Sequence, residues 1–198
     1  MKHIGLILLV TGLSSFSMGS GGTLWNLREA YKDEAMASRK YEQYAIKAEK
    51  EGYHEVAELF AALSESERVH MDNHKAAIRA MGVVPGEVPI EDMEVGSTRE
   101  NLKKALKSEK KEGRSEYSKR VKKAEKEENC MALESFSYAE DSERQHYELL
   151  NQALEDMDQL EEGDYYVSDL TGKTYKVRPG GEKPLGESEK EELLKIYL

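Results

Sequence analysis

Cysteine is almost absent from this chain, because Cys130 is the only one among 198 residues. A single cysteine cannot form an intrachain disulfide, and it cannot build a cluster of thiolate ligands for a metal. Aromatic residues are also scarce, at 8% of the chain, whereas charged residues make up 34%. Few aromatics and many charges are typical of amphipathic helices in water, and they disfavour a β-sandwich.

Positive charge is in deficit as well, since 39 acidic residues face 29 lysines and arginines and leave a net charge of −10. A negative surface repels phosphate backbones, so we expect no nucleic-acid partner. Much of this acidity will belong to solvated helix faces. Acidity alone therefore does not predict a metal site.

Long hydrophobic runs are missing apart from one short segment near the N-terminus. Residues 4–13 are mostly apolar, follow a short basic start and precede a stretch of small residues. This order is typical of a secretory signal peptide, and the run is too short to span a bilayer. We expect a signal peptide over residues 1–19, cleaved after Ser17 or Gly19, and a mature protein exported to the periplasm without a membrane anchor. The alternative is a disordered or core-packed N-terminal segment.

Three sequence patterns occur twice at a nearly constant separation. Residues 26–34 match 101–109 in Asn-Leu-x-x-Ala-x-Lys-x-Glu, residues 48–51 match 124–127 in Ala-Glu-Lys-Glu, and residues 66–70 match 142–146 in Ser-Glu-Arg-x-His. The offsets are 75 (101 − 26), 76 (124 − 48) and 76 (142 − 66) residues. A repeat held in register over so long a span indicates a duplicated structural unit.

Apolar residues recur at spacings of three and four along four segments, which predicts four amphipathic helices. We expect them over residues 23–51, over 54–81, from the Ser97-x-x-Glu100 capping box to about residue 124, and over 129–160. Thr23 can cap the first helix and Gly52 ends it. About fifteen residues of loop separate the second helix from the third, which is typical of a crossover. The sequence thus predicts an all-α four-helix bundle over residues 23–160.

The C-terminal tail, residues 163–198, has a different pattern. Residues 165–167 and 173–177 are predicted to be two short strands around a turn at Gly172. Ser188-x-x-Glu191 is predicted to cap a short final helix. So short a segment cannot bury a core of its own, so the tail should dock on the bundle or stay mobile.

Six residues with metal-ligand chemistry occupy inward positions of the predicted helices, where leucine or valine would normally stand. They are Glu34, Glu67, His70, Glu109, Glu143 and His146. Residues three apart on a helix face the same way, so both Glu-x-x-His pairs would point into one interior, joined by a carboxylate from each of the other two helices. This is the arrangement of di-iron and di-manganese carboxylate bundles. Oxygen and imidazole ligands without thiolate suit iron, with manganese as the alternative.

Chance has to be weighed against this interpretation, because 31 of the 198 residues are glutamate. Glu51-x-x-His54 is a third match to the pattern, but it straddles Gly52 and has no counterpart in the second half. We interpret it as coincidence. A single buried histidine is more often a core residue with satisfied hydrogen bonds, but that explanation does not extend easily to six duplicated ligand-type residues.

The bundle region resembles the ferritin-like domain of the rubrerythrins. That family adds a carboxylate three residues after the third-helix glutamate, and Glu109-x-x-Glu112 supplies it here. Tyr41 and Tyr117 stand where family members place tyrosines that hydrogen-bond the ligating carboxylates. The resemblance implies two irons held by the six residues above and by Glu112, with one iron exchanging His70 for Glu112 as its redox state changes.

The tail resembles a rubredoxin domain that has lost its cysteines. Residues 166–175 and 183–186 correspond to the two iron-binding knuckles, and neither contains a thiolate ligand. The resemblance implies that the tail binds no iron and survives as a packing element. Electrons would then have to come from an external donor, rubredoxin-like or other.

The function implied by the resemblance is that of an exported di-iron peroxidase that reduces hydrogen peroxide to water. Glu112, Tyr41 and Tyr117 would be its catalytic residues, and a homodimer is expected, with or without exchanged helices. Two alternatives stay open. One is a ferritin-like protein that binds and oxidises ferrous iron, and the other is a structural protein with a vestigial metal site.

Overall fold

The computed structural model describes residues 22–89 and 92–198. The expected signal peptide lies outside the described residues. The helices are α1 (Thr23–Lys50), α2 (His54–Ala80), α3 (Thr98–Lys111), α4 (Tyr117–Lys126) and α5 (Cys130–Glu155), with a π-helical turn at Glu112–Glu116 joining α3 to α4. Three short strands follow, β1 (Asp164–Ser168), β2 (Thr174–Val177) and β3 (Leu193–Lys195). No helix in these two ranges is both long and apolar enough to cross a bilayer.

The predicted four-helix bundle is confirmed, and its third helix consists of α3, the π-helical turn and α4. Helix α1 packs along α2, and α5 packs against α2, α3 and α4. The apolar core forms two clusters, one around Phe60 and Leu102 and the other around Leu27 and Phe136. A layer of buried acidic and histidine side chains separates the two clusters along each helix.

Helix ends follow the sequence signals, with two corrections, the first being that α5 ends at Glu155 and not at residue 160. Ser97 and Glu100 form the predicted capping box at the start of α3. Gly52 lies just beyond the end of α1 and has a φ of +83, a conformation that glycine adopts without strain. Thr23 was expected to cap α1, but Gly22 is the cap and Thr23 is the first helical residue. The reason is that the Thr23 N–H is satisfied from outside the helix, by the Glu127 carboxylate at 2.9 Å.

The π-helical turn between α3 and α4 explains why the repeat offset changes. The offset is 75 residues up to Glu109 (109 − 34) and 76 from Tyr117 (117 − 41), so one extra residue lies between them. A π-turn accommodates one extra residue inside a helix without ending it. Both Glu109 and Tyr117 are therefore buried on the inward face.

The tail forms a three-stranded antiparallel sheet in the order β2-β1-β3, and it docks on the bundle. Tyr165 and Val167 of β1 pack into the cluster around Phe60. The predicted final helix after Ser188 is wrong. Only one turn closes there, and the chain then extends as β3, which buries Leu193 and pairs it with Ser168. A helix this short is marginal in water, whereas the free edge of β1 offers backbone partners.

Candidate metal centre

The six ligand-type side chains predicted from the repeat lie together in the middle of the bundle. They form two overlapping groups, Glu34, Glu67, His70 and Glu143 in one, and Glu67, Glu109, Glu143 and His146 in the other. Within each group the ligand atoms lie within 4.8 Å of one another. Glu67 and Glu143 belong to both groups, so both cations of a di-metal centre would share their carboxylates.

Both histidines turn their Nδ1 atoms toward the carboxylates. His70 Nδ1 lies 2.9 Å from Glu67 Oε2 and 3.4 Å from Glu143 Oε1. His146 Nδ1 lies 3.4 to 3.6 Å from oxygens of Glu67, Glu109 and Glu143. Each group therefore offers one imidazole nitrogen and three carboxylates. This donor set, without a thiolate, suits iron or manganese.

Two buried tyrosines hold the two carboxylates that belong to only one group each. Tyr41 on α1 donates a hydrogen bond to Glu109 on α3, and Tyr117 on α4 donates one to Glu34 on α1. Burial and the neighbouring carboxylates raise the pKa of both phenols well above the ordinary value. Both therefore remain protonated donors at neutral pH, in the positions that the sequence predicts.

His74, four residues after His70 on α2, is not among the side chains predicted from the repeat. Its ring is fully buried, with Nδ1 2.7 Å from Ser135 Oγ and Nε2 2.9 Å from the Tyr117 hydroxyl. Because Tyr117 already donates to Glu34, its oxygen must accept from His74 Nε2. The inward position one turn after His70 was the available signal for this second layer around the centre.

The buried carboxylates of the centre repel one another, and cations between them would relieve this repulsion. Burial and the charges of other carboxylates raise the pKa of Glu34 and Glu143 well above the ordinary value. Among the described residues, hydrogen-bond partners are missing for Glu34 Oε2, Glu109 Oε2, both carboxylate oxygens of Glu143 and His146 Nδ1. Buried oxygens and nitrogens without partners are costly. Two divalent cations would satisfy these atoms and neutralise the charge, so the residues present fit a di-metal centre.

Glu112 lies in the π-helical turn and belongs to neither group. It lines a surface groove together with Trp25, Asp33 and Lys40. Burial, followed by the charges of Glu109 and Glu67, raises the pKa of Glu112 to about 8. The carboxyl is thus electrostatically coupled to the centre, and its role as a seventh ligand and catalytic residue stays a prediction.

Comparison with known proteins accounts for this arrangement of ligands. The rubrerythrin family model matches residues 26–154, which contain all six clustered side chains and Glu112. This chain belongs to the rubrerythrin family. Rubrerythrin-2 of Clostridium acetobutylicum is 30% identical over 157 residues, covering 75% of this chain and 82% of the relative. A protein of Methanocaldococcus jannaschii named as a rubrerythrin is 32% identical over 158 residues, covering 74% of each chain.

Solved structures agree with the family and with the predicted ferritin-like fold. Fully reduced, all-ferrous nigerythrin has a TM-score of 0.75 at 26% identity, over 89% of this chain and 90% of that one. Mycobacterium tuberculosis bacterioferritin has a TM-score of 0.63 at 21% identity, over 70% of this chain and 87% of that one, and shows the fold alone. The chain is a rubrerythrin-family protein whose buried glutamate and histidine clusters fit two irons.

Proposed function

We propose that this rubrerythrin-family chain is an exported di-iron peroxidase, which reduces hydrogen peroxide to water with electrons from an external donor. The observation that carries the proposal is the pair of overlapping four-residue groups with two shared carboxylates. Family membership supports an oxidoreductase role for such a centre. When bound, two irons would supply the two electrons that peroxide reduction consumes.

The chain's own residues would fix the positions of the carboxylate ligands. Glu67 and Glu143 hold the shared position, while the Tyr41 and Tyr117 hydroxyls keep Glu109 and Glu34 in place. Apolar clusters lie on either side of the centre and lower the polarity of its surroundings. Low polarity around the centre strengthens each of these hydrogen bonds.

Glu112 is suited to supply a proton beside the centre. Reduction of one peroxide to two waters consumes two protons as well as two electrons. In the metal-free chain, burial and the charges of Glu109 and Glu67 raise the pKa of the Glu112 carboxyl to about 8, which favours its protonated form. Its place in the surface groove leaves it able to exchange that proton with solvent.

The electrons must come from another molecule. In the tail, the positions that resemble rubredoxin knuckles contain no cysteine, so the chain has no thiolate iron site to relay electrons. We propose a rubredoxin-like or other small redox protein as the donor.

The decisive experiment compares two oxidants. Iron-loaded protein is reduced without oxygen, then mixed with hydrogen peroxide or with dissolved oxygen, and oxidation is followed by absorbance. We expect peroxide to oxidise the centre faster at equal concentration. If oxygen reacts as fast as peroxide or faster, the peroxidase proposal is wrong.

The role of Glu112 is tested with Glu112→Ala and a matched control, Glu116→Ala. Glu116 lies in the same π-helical turn and the same groove, where it pairs with Lys111. We expect Glu112→Ala to keep its two metals but to react with peroxide about 10- to 100-fold more slowly, the range for loss of a general acid. Glu116→Ala should react like the wild type. Unchanged kinetics in Glu112→Ala would remove its catalytic role.

The main alternative is oxidation of ferrous iron for handling or storage, which the same two ligand groups could support. We keep this alternative because the chain shares its fold with a bacterioferritin. Repeated additions of ferrous iron to the full chain distinguish the two functions. Uptake of many irons per chain into a large shell would support storage, whereas a homodimer that holds two irons per chain supports the peroxidase. Fewer than one metal per chain after loading would instead indicate a structural protein with a vestigial site.

Export rests on the residue pattern of the first nineteen residues and on the cysteine-free tail. Exposed iron-binding thiolates are prone to oxidation and mispairing in an oxidising compartment. The test is fractionation of cells that express the full-length chain, with sequencing of the mature N-terminus. A full-length protein retained in the cytoplasm would overturn the export proposal and leave the peroxidase proposal standing.

A further inference from the structure

The turn between β1 and β2, residues 169–173, lies directly over the histidine side of the metal centre. We call this segment the tail turn. The carbonyl oxygens of its three middle residues, 170–172, face the bundle, and each accepts a hydrogen bond from a different side chain. Asn73 Nδ2 lies 2.9 Å from Leu170 O, Ser142 Oγ lies 3.0 Å from Thr171 O, and Ser66 Oγ lies 2.5 Å from Gly172 O.

The tail turn determines the tautomer of His70. His70 Nε2 lies 3.1 Å from the carbonyl oxygen of Thr171. A carbonyl oxygen can only accept, so this contact requires a hydrogen on Nε2, which is the arrangement that leaves Nδ1 free to bind a metal. The lone pair is then on Nδ1, which faces Glu67 and Glu143.

The tail turn also determines the tautomer of His146, through one intermediate hydroxyl. His146 Nε2 lies 3.0 Å from Ser66 Oγ. Ser66 has a single hydroxyl hydrogen, and it donates this hydrogen to the Gly172 carbonyl. The hydroxyl oxygen must therefore accept from His146 Nε2, so the neutral ring again has its lone pair on Nδ1, facing the second ligand group.

Gly172 is the residue that allows this close approach. Its φ of +78 lies in the left-handed region, and a Cβ at this position would stand 2.3 Å from His70 Nε2 and 2.9 Å from Ser66 Oγ. Both contacts are too short for any side chain. The turn is also held from within, because the Gly172 N–H donates to Ser168 O at 3.0 Å and the Thr171 N–H donates to Ser168 Oγ at 2.9 Å.

The contacts account for a part of the repeat that the metal ligands leave unexplained. Ser66 and Ser142 are equivalent in the two halves, and each directly precedes a shared glutamate, Glu67 or Glu143. Both serines are fully buried, and both donate to successive carbonyls of the tail turn. The duplicated Ser-Glu-Arg-x-His pattern thus provides a ligand pair toward the metals and a hydroxyl toward the tail in each half.

We propose that the cysteine-free tail is a working part of the metal centre. The backbone carbonyls of Thr171 and Gly172 hold both histidines in the tautomer that presents Nδ1 to the metals, so docking of the tail and binding of metal reinforce each other. Gly172 and Ser66 are positioning residues in this scheme, because neither touches the metals. The inference rests on the metal site of the proposed function, but it does not depend on any reaction with peroxide.

The test uses Gly172→Ala and Ser66→Ala in the full chain, with Gly180→Ala as the matched control. Gly180 is also a tail glycine with positive φ, at +69, but a Cβ there would meet nothing within 4 Å. Each protein is titrated with cobalt(II), and its affinity and visible spectrum are recorded. We expect both test variants to bind cobalt about 10- to 100-fold more weakly, the usual loss when a partner of a metal-bound histidine is removed. Gly180→Ala should match the wild type.

Amide hydrogen exchange supplies a second readout that a purely structural role would not change. Cobalt should slow exchange of residues 169–174 in the wild type, and this effect should shrink in Ser66→Ala. The proposal would be overturned if both test variants had the cobalt affinity and visible spectrum of the wild type. It would also be overturned if cobalt did not change the amide exchange of residues 169–174 in the wild type. If Gly172→Ala fails to fold, Ser66→Ala decides, because it deletes one oxygen and adds no atom. A chain that binds cobalt in this way but does not react with peroxide keeps this inference and loses only the peroxidase proposal.

Discussion

At the scale of single residues, the two tyrosines of the centre are held by different means. Tyr117 receives a hydrogen bond from His74, which in turn accepts from Ser135. Burial is the main cause that lowers the pKa of His74 well below its ordinary value, so the ring is neutral and can link donor to acceptor. Tyr41 instead stacks on Phe60, with ring centroids 5.8 Å apart. With the repeat offset of 76, the residue equivalent to His74 in the second half is Leu150 (74 + 76 = 150). A leucine side chain cannot form hydrogen bonds, so only Tyr117 is held by a polar chain, which runs from Ser135 through His74.

The substitution His74→Leu introduces the residue that the second half has at the equivalent position, Leu150. It tests the chain of hydrogen bonds from Ser135 through His74 to Tyr117. It removes the hydrogen bonds to Tyr117 and Ser135 inside the core, so we expect the free energy of unfolding of the metal-free chain to fall by about 1–3 kcal/mol. Urea unfolding followed by circular dichroism measures the change. His54→Leu is the control, because the His54 side chain is 70% exposed. Equal unfolding midpoints for His74→Leu and wild type would contradict the assigned role.

At the scale of helices, the two halves of the repeat cap each other. Glu51, at the end of α1, accepts hydrogen bonds from Thr98 N at 2.7 Å and from Thr98 Oγ1 at 2.6 Å, at the start of α3. Its repeat equivalent Glu127, at the end of α4, accepts from Thr23 N at 2.9 Å, at the start of α1. A carboxylate at a helix N-terminus satisfies a free N–H and interacts favourably with the helix dipole. These contacts fix how the two halves are placed along the bundle axis.

The mutual caps predict a pH-dependent loss of stability in Glu51→Gln and Glu127→Gln. Hydrogen bonds from Thr98 and Lys47 lower the pKa of Glu51 to about 2, and those from Lys123 and Thr23 do the same for Glu127. A lowered pKa contributes stability above the ordinary value of 4.5, and that stability is lost as the pH falls toward 2. We expect both variants to melt below the wild type at pH 7, with a gap that narrows as the pH falls below about 4.5.

Thermal melts at several pH values between 3.5 and 7 check this expectation. Glu125→Gln is the control, since Glu125 is exposed near the same end of α4. It should follow the wild type at every pH. A gap that stays constant as the pH falls would show that the variants act through packing, not through the carboxylate charge.

At the scale of the whole molecule, the metal-free bundle holds more buried carboxyl groups than it can ionise together. Glu34 and Glu143 have pKa values raised by burial and by their neighbours, and several of the clustered ligand atoms lack hydrogen-bond partners. The helices α1, α2, α3 and α5 each contribute to this layer. Metal binding should therefore stabilise the whole fold and not only the centre.

Removal of metal is expected to lower the melting temperature of the full chain. A ligand that binds only the folded state adds about 2.7 kcal/mol at 100 times its dissociation constant. We expect anaerobic ferrous iron or manganese to raise the melting temperature in calorimetry and a chelator to reverse the rise. The double variant Glu67→Ala, Glu143→Ala, which lacks both shared carboxylates, should show no rise. A melting temperature that is the same with and without metal would contradict a di-metal centre.

Much of this architecture could be predicted from the sequence, because a duplicated pattern gives two independent readings of each position. The bundle, its crossover and the six clustered side chains all follow from helical spacing and from charge in places where apolar residues are expected. The final strand β3 could not be predicted, since a short helical pattern competes with an open sheet edge that only the folded tail supplies. The turn at Gly172 was predicted, but its contacts to Ser66 and His70 could not be, because they are made by backbone carbonyls, which have no sequence pattern.

The π-helical turn has a consequence for the two metals themselves. Seven residues separate Glu34 from Tyr41 and eight separate Glu109 from Tyr117, and one residue of an α-helix corresponds to a rotation of about 100°. A duplication without the extra residue would place the six clustered side chains about an approximate twofold axis. The inserted residue, which lies in the third helix together with Glu112, breaks this symmetry. The two irons should therefore be inequivalent, and Mössbauer spectra of the loaded protein should resolve them as two distinct sites.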